Sequence, residues 1–233
     1  MPDRRLKAVE LNMEKIELPY RYIVVEGPIG VGKTHLVKRL AESFSGTTLF
    51  EQPEHNPFLE KFYLYPKQSA LPTQLSFLMQ RVKLSKTLQQ DDFFNDLQVA
   101  DFMVEKDRLF AQITLDDDEL ALYNMVYDNL TMHHRTPDLV IYLQAPLSVL
   151  KTRVAQRGIS YEQRIEDAYL QRLTDAYADF FHYYDESPLL IVNAEQIDLV
   201  NNEADYQNLV AQIATLKSGR QYYNPLAVKE IKK

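Results

Sequence analysis

"YIVVEGPIGVGKTHLVKRL", residues 22–40, decides the fold of this chain. A run of β-branched and aromatic residues leads into Glu26-Gly27. A glycine-rich turn follows, and apolar residues then recur with helical spacing at Leu36, Val37, Leu40 and Phe44. Gly27, Gly32, Lys33 and Thr34 fill the pattern G-x-x-x-x-G-K-[ST], so the stretch reads as strand, phosphate loop and helix. Glycines at 27, 30 and 32 let consecutive N–H groups curl around an anion, and the helix that starts there adds its positive end. The loop of Gly27, Pro28, Ile29, Gly30, Val31, Gly32, Lys33 and Thr34 is therefore expected to hold a nucleotide's phosphates. Lys33 supplies a point charge near the transferring phosphate, and the Thr34 hydroxyl is placed for Mg²⁺.

The flanking sequence extends this unit into a parallel sheet. Strand-like runs recur at 20–27, 47–52, 97–103, 138–145 and 188–194, with helical patterns at roughly 33–45, 70–90, 104–112, 116–132, 147–157 and 166–184. Five buried strands alternating with helices predict an α/β fold with a five-stranded parallel sheet. The helix over 70–90 is expected to present Leu75, Leu78, Met79 and Val82 on one face. With 233 residues, 45% of them hydrophobic, and no interior linker, the chain reads as one domain over 19–216. Residues 1–18 and the basic, aromatic 217–233 read as tails.

Composition narrows the function. A net charge of −7 argues against a grip on a nucleic-acid backbone. The absence of cysteine removes disulfides, thiolate nucleophiles and cysteine-based zinc sites. No run reaches the length of a membrane span and the first residues lack a signal peptide's apolar core, so a soluble, cytoplasmic protein without membrane partners is expected. In sheets of this kind ligands sit at the carboxyl ends of the strands. That rule selects Glu51 after strand two and Asp101 after strand three. Beside a phosphate loop, two such carboxylates suit a kinase, one as base for the attacking hydroxyl and one near the metal; carboxylates also commonly end strands at a wet surface.

Four stretches carry a resemblance: "FEQPEHNPFLEKFY" (50–63), "TQLSFLMQR" (73–81), "VADFMVEKD" (99–107) and "IYLQAPLSVLKTRVAQRG" (141–158). Together, over about residues 20–195, they resemble the bacterial deoxynucleoside kinase family, most of all its deoxyadenosine/deoxyguanosine kinase branch. The resemblance implies transfer of the γ-phosphate of ATP·Mg²⁺ to the 5′-hydroxyl of a deoxynucleoside, purines favoured, by an enzyme with an arginine-bearing lid. It identifies Glu51 as the base and Tyr63 and Glu162 as holders of the sugar 3′-hydroxyl. Gln74, Phe77 and Arg81 become the nucleobase pocket, with Asp107 where some relatives pair an aspartate with the base-reading arginine. Asp101 falls near Mg²⁺, and Arg153 and Arg157 are matched to lid arginines that close on the phosphates. A homodimer packed through the helices at 70–90 and 116–132, and feedback inhibition by a deoxynucleoside triphosphate, are implied in the same way.

The chain departs from the family pattern at three places. Gln52, not proline, follows Glu51; only the register with Glu51 as base aligns Asn56-Pro57 without a gap. Phe102 stands where many relatives carry an arginine after the acidic residue of strand three. The lid reads Arg157-Gly158-Ile159, one arginine short unless Arg164 replaces it. These departures keep open a nucleotide-binding regulator without turnover, and the loop alone also fits a nucleoside-monophosphate kinase such as a thymidylate kinase. Asp116-Asp117-Asp118 reads as the start of a helix, His133-His134 matches no metal spacing, and the aromatic residues of 176–185 read as helix packing.

Overall fold

The computed structural model describes residues 16–90, 97–131, 135–199 and 202–225. Most of the two expected tails (1–15 and 226–233) and His133-His134 lie outside the described residues.

The central strand β1 (Tyr22–Glu26) is buried at every position, as its unbroken apolar run requires of a strand covered on both faces. Helix α1 (Lys33–Ser43) follows the phosphate loop, and strand β2 (Thr47–Leu49), helix α2 (Leu59–Leu64), helix α3 (Pro66–Gln90) and strand β3 (Gln98–Ala100) come next. Helices α4 (Lys106–Thr114) and α5 (Asp117–Leu130) precede β4 (Leu139–Gln144), α6 (Leu147–Arg157), α7 (Asp167–Tyr183), β5 (Leu189–Asn193), α8 (Glu203–Thr215) and β6 (Arg220–Tyr223). The sheet is parallel throughout, in the order β2-β3-β1-β4-β5-β6. The chain passes from β1 to the edge strand β2, returns to β3 beside β1 and then crosses to β4 on the other side, so the crevice for a ligand opens at the carboxyl end of β1.

The sheet has six strands rather than five. Arg220–Tyr223, read from sequence as part of the tail, pairs in parallel with β5. Its pattern is mostly polar and only Tyr223 is buried, so no apolar run announced it. Helix α8 also went unread, although Tyr206, Leu209, Val210 and Ile213 pack it into the core. Strand β2 is shorter than expected and stops at Leu49, which leaves Glu51 on the loop beyond it. On α3, Leu78 and Val82 are buried, but Met79 is 53% exposed and does not share their face.

Other expectations agree with the structure. Asp116 caps α5: its carboxylate accepts from the Glu119 N–H at 2.9 Å, and the Glu119 side chain accepts in return from the Asp116 N–H. Tyr177 and Phe181 of α7 pack the core, with the Phe181 ring stacked 4.3 Å from that of Tyr142, whereas Tyr183 at the helix end is exposed. Among the described residues no helix is long and apolar enough to cross a membrane.

Candidate active site

The phosphate loop takes its shape from its neighbours. At Gly27, φ is +144°, and a Cβ there would lie 2.4 Å from the Leu143 carbonyl oxygen of β4, so only glycine lets the loop run this close to the sheet. A Cβ at Gly32 would meet nothing, because that position faces the open cavity. The Lys33 ammonium donates to the carbonyls of Gly27 at 2.6 Å and Pro28 at 3.2 Å. Burial lowers the Lys33 pKa to about 8, with the nearby Lys106 charge acting in the same direction.

A cavity of about 790 Å³ runs from this loop to α3, within the usual size of a small-molecule site. It gathers most of the residues named from sequence: Ile29 to Thr34 of the loop, Glu51, Tyr63, Gln74, Phe77, Arg81, Asp101, Arg153, Arg157 and Glu162. Gly27, Pro28 and Asp107 lie outside its wall. The loop that carries Glu51 is fixed to α3 through buried Asn56, whose amide donates to the Thr73 carbonyl at 3.0 Å while its oxygen accepts from the Phe58 N–H. Asp101 ties three segments together at the floor. It accepts from the Glu51 N–H at 2.8 Å and from the Thr34 hydroxyl at 3.1 Å.

From that floor a row of charges runs inward, buried except at the partly exposed Glu51. Glu51 accepts from the Arg81 guanidinium on one oxygen and from the Lys106 ammonium, at 3.0 Å, on the other. Arg81 also donates to Asp107, and Lys106 sits 3.3 Å from Glu26, the last residue of β1. Three carboxylates thus face two cations. Burial would raise the Glu51 carboxyl, but Arg81 and Lys106 on either side overcome it and hold it down to about 2. The carboxylates at the two ends each have one cation of the row, and burial wins there: Glu26 is pushed up, and Asp107 is pushed up to about 7.

Sequence reasoning missed Glu26 and Lys106. The only signal for Glu26 was a charged residue closing an otherwise apolar strand, and Lys106 resembled any lysine at a helix start. Phe102 is buried in the core and leaves no cation at that position; the two cations beside Glu51 are Arg81 of α3 and Lys106 of α4.

Three buried oxygens at the site, Gln74 Oε1, Glu162 Oε2 and Asp107 Oδ2, have no hydrogen-bond partner among the described residues. Buried polar atoms are normally paired, so the two that belong to cavity-lining side chains point to ligand groups. On α6, Arg153 donates to the carbonyls of Val31 at 3.1 Å and Ala194 at 2.8 Å, and Arg157 donates to Glu162 at 2.9 Å. The Tyr161 ring stacks 6.0 Å from that of Tyr63. Ile159 lines the cavity, whereas Arg164 is exposed and does not.

Thr34 and Asp101 offer hard oxygen donors in contact with each other, the ligand type that Mg²⁺ prefers. No cluster of three or more histidine, aspartate or glutamate side chains suited to a metal occurs among the described residues. A hydroxyl and one carboxylate fit an ion that draws its remaining ligands from phosphates and water.

The loop and the cavity beside it define a phosphate-loop nucleotide-binding fold. A family model described as deoxynucleoside kinase matches residues 23–218, and the chain belongs to that family. It is 32% identical over 201 residues to the deoxyguanosine kinase of Bacillus subtilis (strain 168), covering 84% of this chain and 97% of that one. It is 29% identical over 214 residues to the deoxyadenosine/deoxycytidine kinase of the same organism, covering 88% and 97%. A solved structure of deoxyadenosine kinase from M. mycoides with bound dATP superimposes with a TM-score of 0.72 at 23% identity, over 83% of this chain and 98% of that one.

The raised Asp107 carboxyl has a consequence for stability. Its stabilising contribution is complete below the unfolded value of 3.8 and is lost as pH rises through about 7, because the folded state keeps the proton longer. The destabilisation caused by Asp107→Asn, measured by urea denaturation, is therefore expected to be larger at about pH 5 than at about pH 8. A penalty that grows with pH would contradict a carboxyl raised by burial.

Proposed function

We propose that the protein transfers the γ-phosphate of ATP to the 5′-hydroxyl of a deoxynucleoside, purines favoured, as a single catalytic domain in the cytoplasm, where ATP is available. The observation that carries this reading is the placement of Glu51: an ionised carboxylate, held by two cations, in one cavity with Lys33 and Thr34 on one side and Gln74 on the other. Glu51 accepts the hydrogen bond of the acceptor hydroxyl and takes its proton as the phosphoryl group arrives. A pKa of about 2 makes it a weak base but keeps it unprotonated at every working pH. Phosphoryl transfer through a loose transition state asks more for positioning and charge than for strong proton abstraction.

The other residues take roles that their positions permit. The loop N–H groups and Lys33 hold the donor phosphates, and Arg153 and Arg157 bring positive charge from the lid. Thr34 and Asp101 would hold Mg²⁺, which supplies neutralising charge on the phosphates when bound. Tyr63 and Glu162 face the sugar; the partnerless Glu162 oxygen suits a sugar hydroxyl donor. Gln74, with a carbonyl lacking a partner, reads the nucleobase by accepting from an exocyclic amine, and Phe77 packs on the ring. Asp107 acts through Arg81 from behind the cavity wall. Discrimination against thymine, which has no exocyclic amine, thus falls first on Gln74.

Features of the site weigh against the two alternatives. A nucleoside-monophosphate acceptor needs cations for its own phosphate, yet Lys61 and Lys67 are exposed and outside the cavity, and Arg81 is committed to two carboxylates. A regulator without turnover would have no need for Glu51, Gln74 and Glu162 to converge.

A four-nucleoside assay with ATP and Mg²⁺ tests the reading. Deoxyadenosine or deoxyguanosine should be phosphorylated best, deoxycytidine less well and thymidine worst. In the same assay Glu51→Gln should lower kcat by about 10²–10⁴-fold while ATP still binds. A thymidine preference would refute the pocket assignment, and near-normal turnover in the variant would refute Glu51 as base.

The same reading includes a homodimer. Met79 on α3 and Leu122 and Met125 on α5 are large apolar side chains, 45–60% exposed, on two helices that pack together. Sedimentation velocity at micromolar concentration should give twice the mass of one chain; a monomer there would remove the dimer from the account.

A further inference from the structure

Glu26 and Lys106 are buried ionisable side chains at the site that the proposed reaction does not use. We propose that Lys106 is a positioning residue for phosphoryl transfer, its ammonium anchored on Glu26 and holding the Glu51 carboxylate where the acceptor hydroxyl meets the phosphate loop. The inference rests on the reading of Glu51 as the acceptor's proton partner.

The geometry supports it in three ways. The Lys106 Nζ lies 3.0 Å from Glu51 Oε2 and 3.3 Å from Glu26 Oε1, so it bridges the two carboxylates. Its side chain is 4% exposed, so water scarcely competes for those contacts. Glu51 is held on both oxygens, by Arg81 from α3 and by Lys106 from α4, which leaves its plane little freedom to turn.

The anchor is as fixed as the group it holds. Glu26 accepts from the Gly27 N–H at 3.1 Å, the Met103 N–H at 3.0 Å and the Tyr177 hydroxyl at 3.0 Å. Gly27 is the residue whose carbonyl receives the Lys33 ammonium. The acceptor-side carboxylate, through Lys106 and Glu26, and the donor-side lysine are therefore referenced to one residue at the end of β1. An ion pair that served stability alone would not need to reach Glu51. A buried pair is in any case a weak source of stability, since an apolar replacement of similar volume often does as well.

The test separates a positioning role from a structural one. Lys106→Met, Lys106→Arg and the double variant Glu26→Gln/Lys106→Met are compared with wild type by thermal melts and by steady-state kinetics in ATP and deoxynucleoside. The double variant removes both members of the pair, so it guards against a single variant that fails to fold for want of a partner to Glu26. Lys106→Met and the double variant should lower kcat by about 10–100-fold with the deoxynucleoside KM changed by less than about threefold, and Lys106→Arg should recover most of the loss. A folded double variant with kcat within about threefold of wild type would overturn the proposal, as would equal loss in Lys106→Arg and Lys106→Met. Glu51→Gln distinguishes the two levels. If it is inactive while the Lys106 variants are normal, only this inference fails; if it turns over normally, the reading of Glu51 fails first.

Discussion

The site depends on one constraint, a single row of alternating sign made by five ionisable side chains, Glu26, Lys106, Glu51, Arg81 and Asp107, all buried except the partly exposed Glu51 at its centre. Removing a charge from water is expensive, and mutual attraction repays it only where each group meets its opposite at close range. With three carboxylates and two cations the row cannot balance everywhere. The imbalance falls on the ends, where Glu26 and Asp107 are pushed upward, and the centre is protected because Glu51 touches both cations. A row of apolar side chains would fill the same space without the desolvation penalty. Its presence is therefore better explained by what it does to Glu51 than by stability.

The fold converts that row into a site. Strand β1 ends in Glu26 and then in the phosphate loop, so one strand carries both an end of the row and the loop beside the cavity. Helix α3 brings Arg81 to the row and Gln74 and Phe77 to the cavity, while Leu78 and Val82 of the same helix face the apolar core. Asp101 at the end of β3 fastens the Glu51 loop to Thr34. The contacts of the two α6 arginines differ in kind. Arg153 is bonded to the phosphate loop, but Arg157 reaches only the buried Glu162 and is itself half exposed.

Much of this was legible in the sequence, for identifiable reasons. Phosphate-loop chemistry imposes glycines and a lysine at fixed spacing, and buried parallel strands are continuous apolar runs, so β1, β4 and β5 and the loop could be read directly. Glu51, Gln74, Arg81 and Glu162 were placed by resemblance and converge on one cavity. What could not be read has a common cause. Strand β6 is mostly polar, Lys106 looks like a solvated residue, and Met79 looks like a core residue, because burial at each is decided by a neighbour distant in sequence. Asp107, matched by resemblance to an aspartate that pairs with the base-reading arginine, is bonded to Arg81 and lies outside the cavity wall.

The central claim, that the row keeps its middle carboxylate ionised while its ends are raised, is tested most directly by carbon-detected NMR titration of the side-chain carboxyls of Glu51 and Asp107 in the folded protein. The account requires Glu51 to remain ionised through the whole acid range in which the fold survives, with a pKa of about 2, and Asp107 to titrate at about 7. Glu51 titrating near the ordinary glutamate value of 4.5, together with an Asp107 fully ionised near the ordinary aspartate value of 3.8, would contradict it.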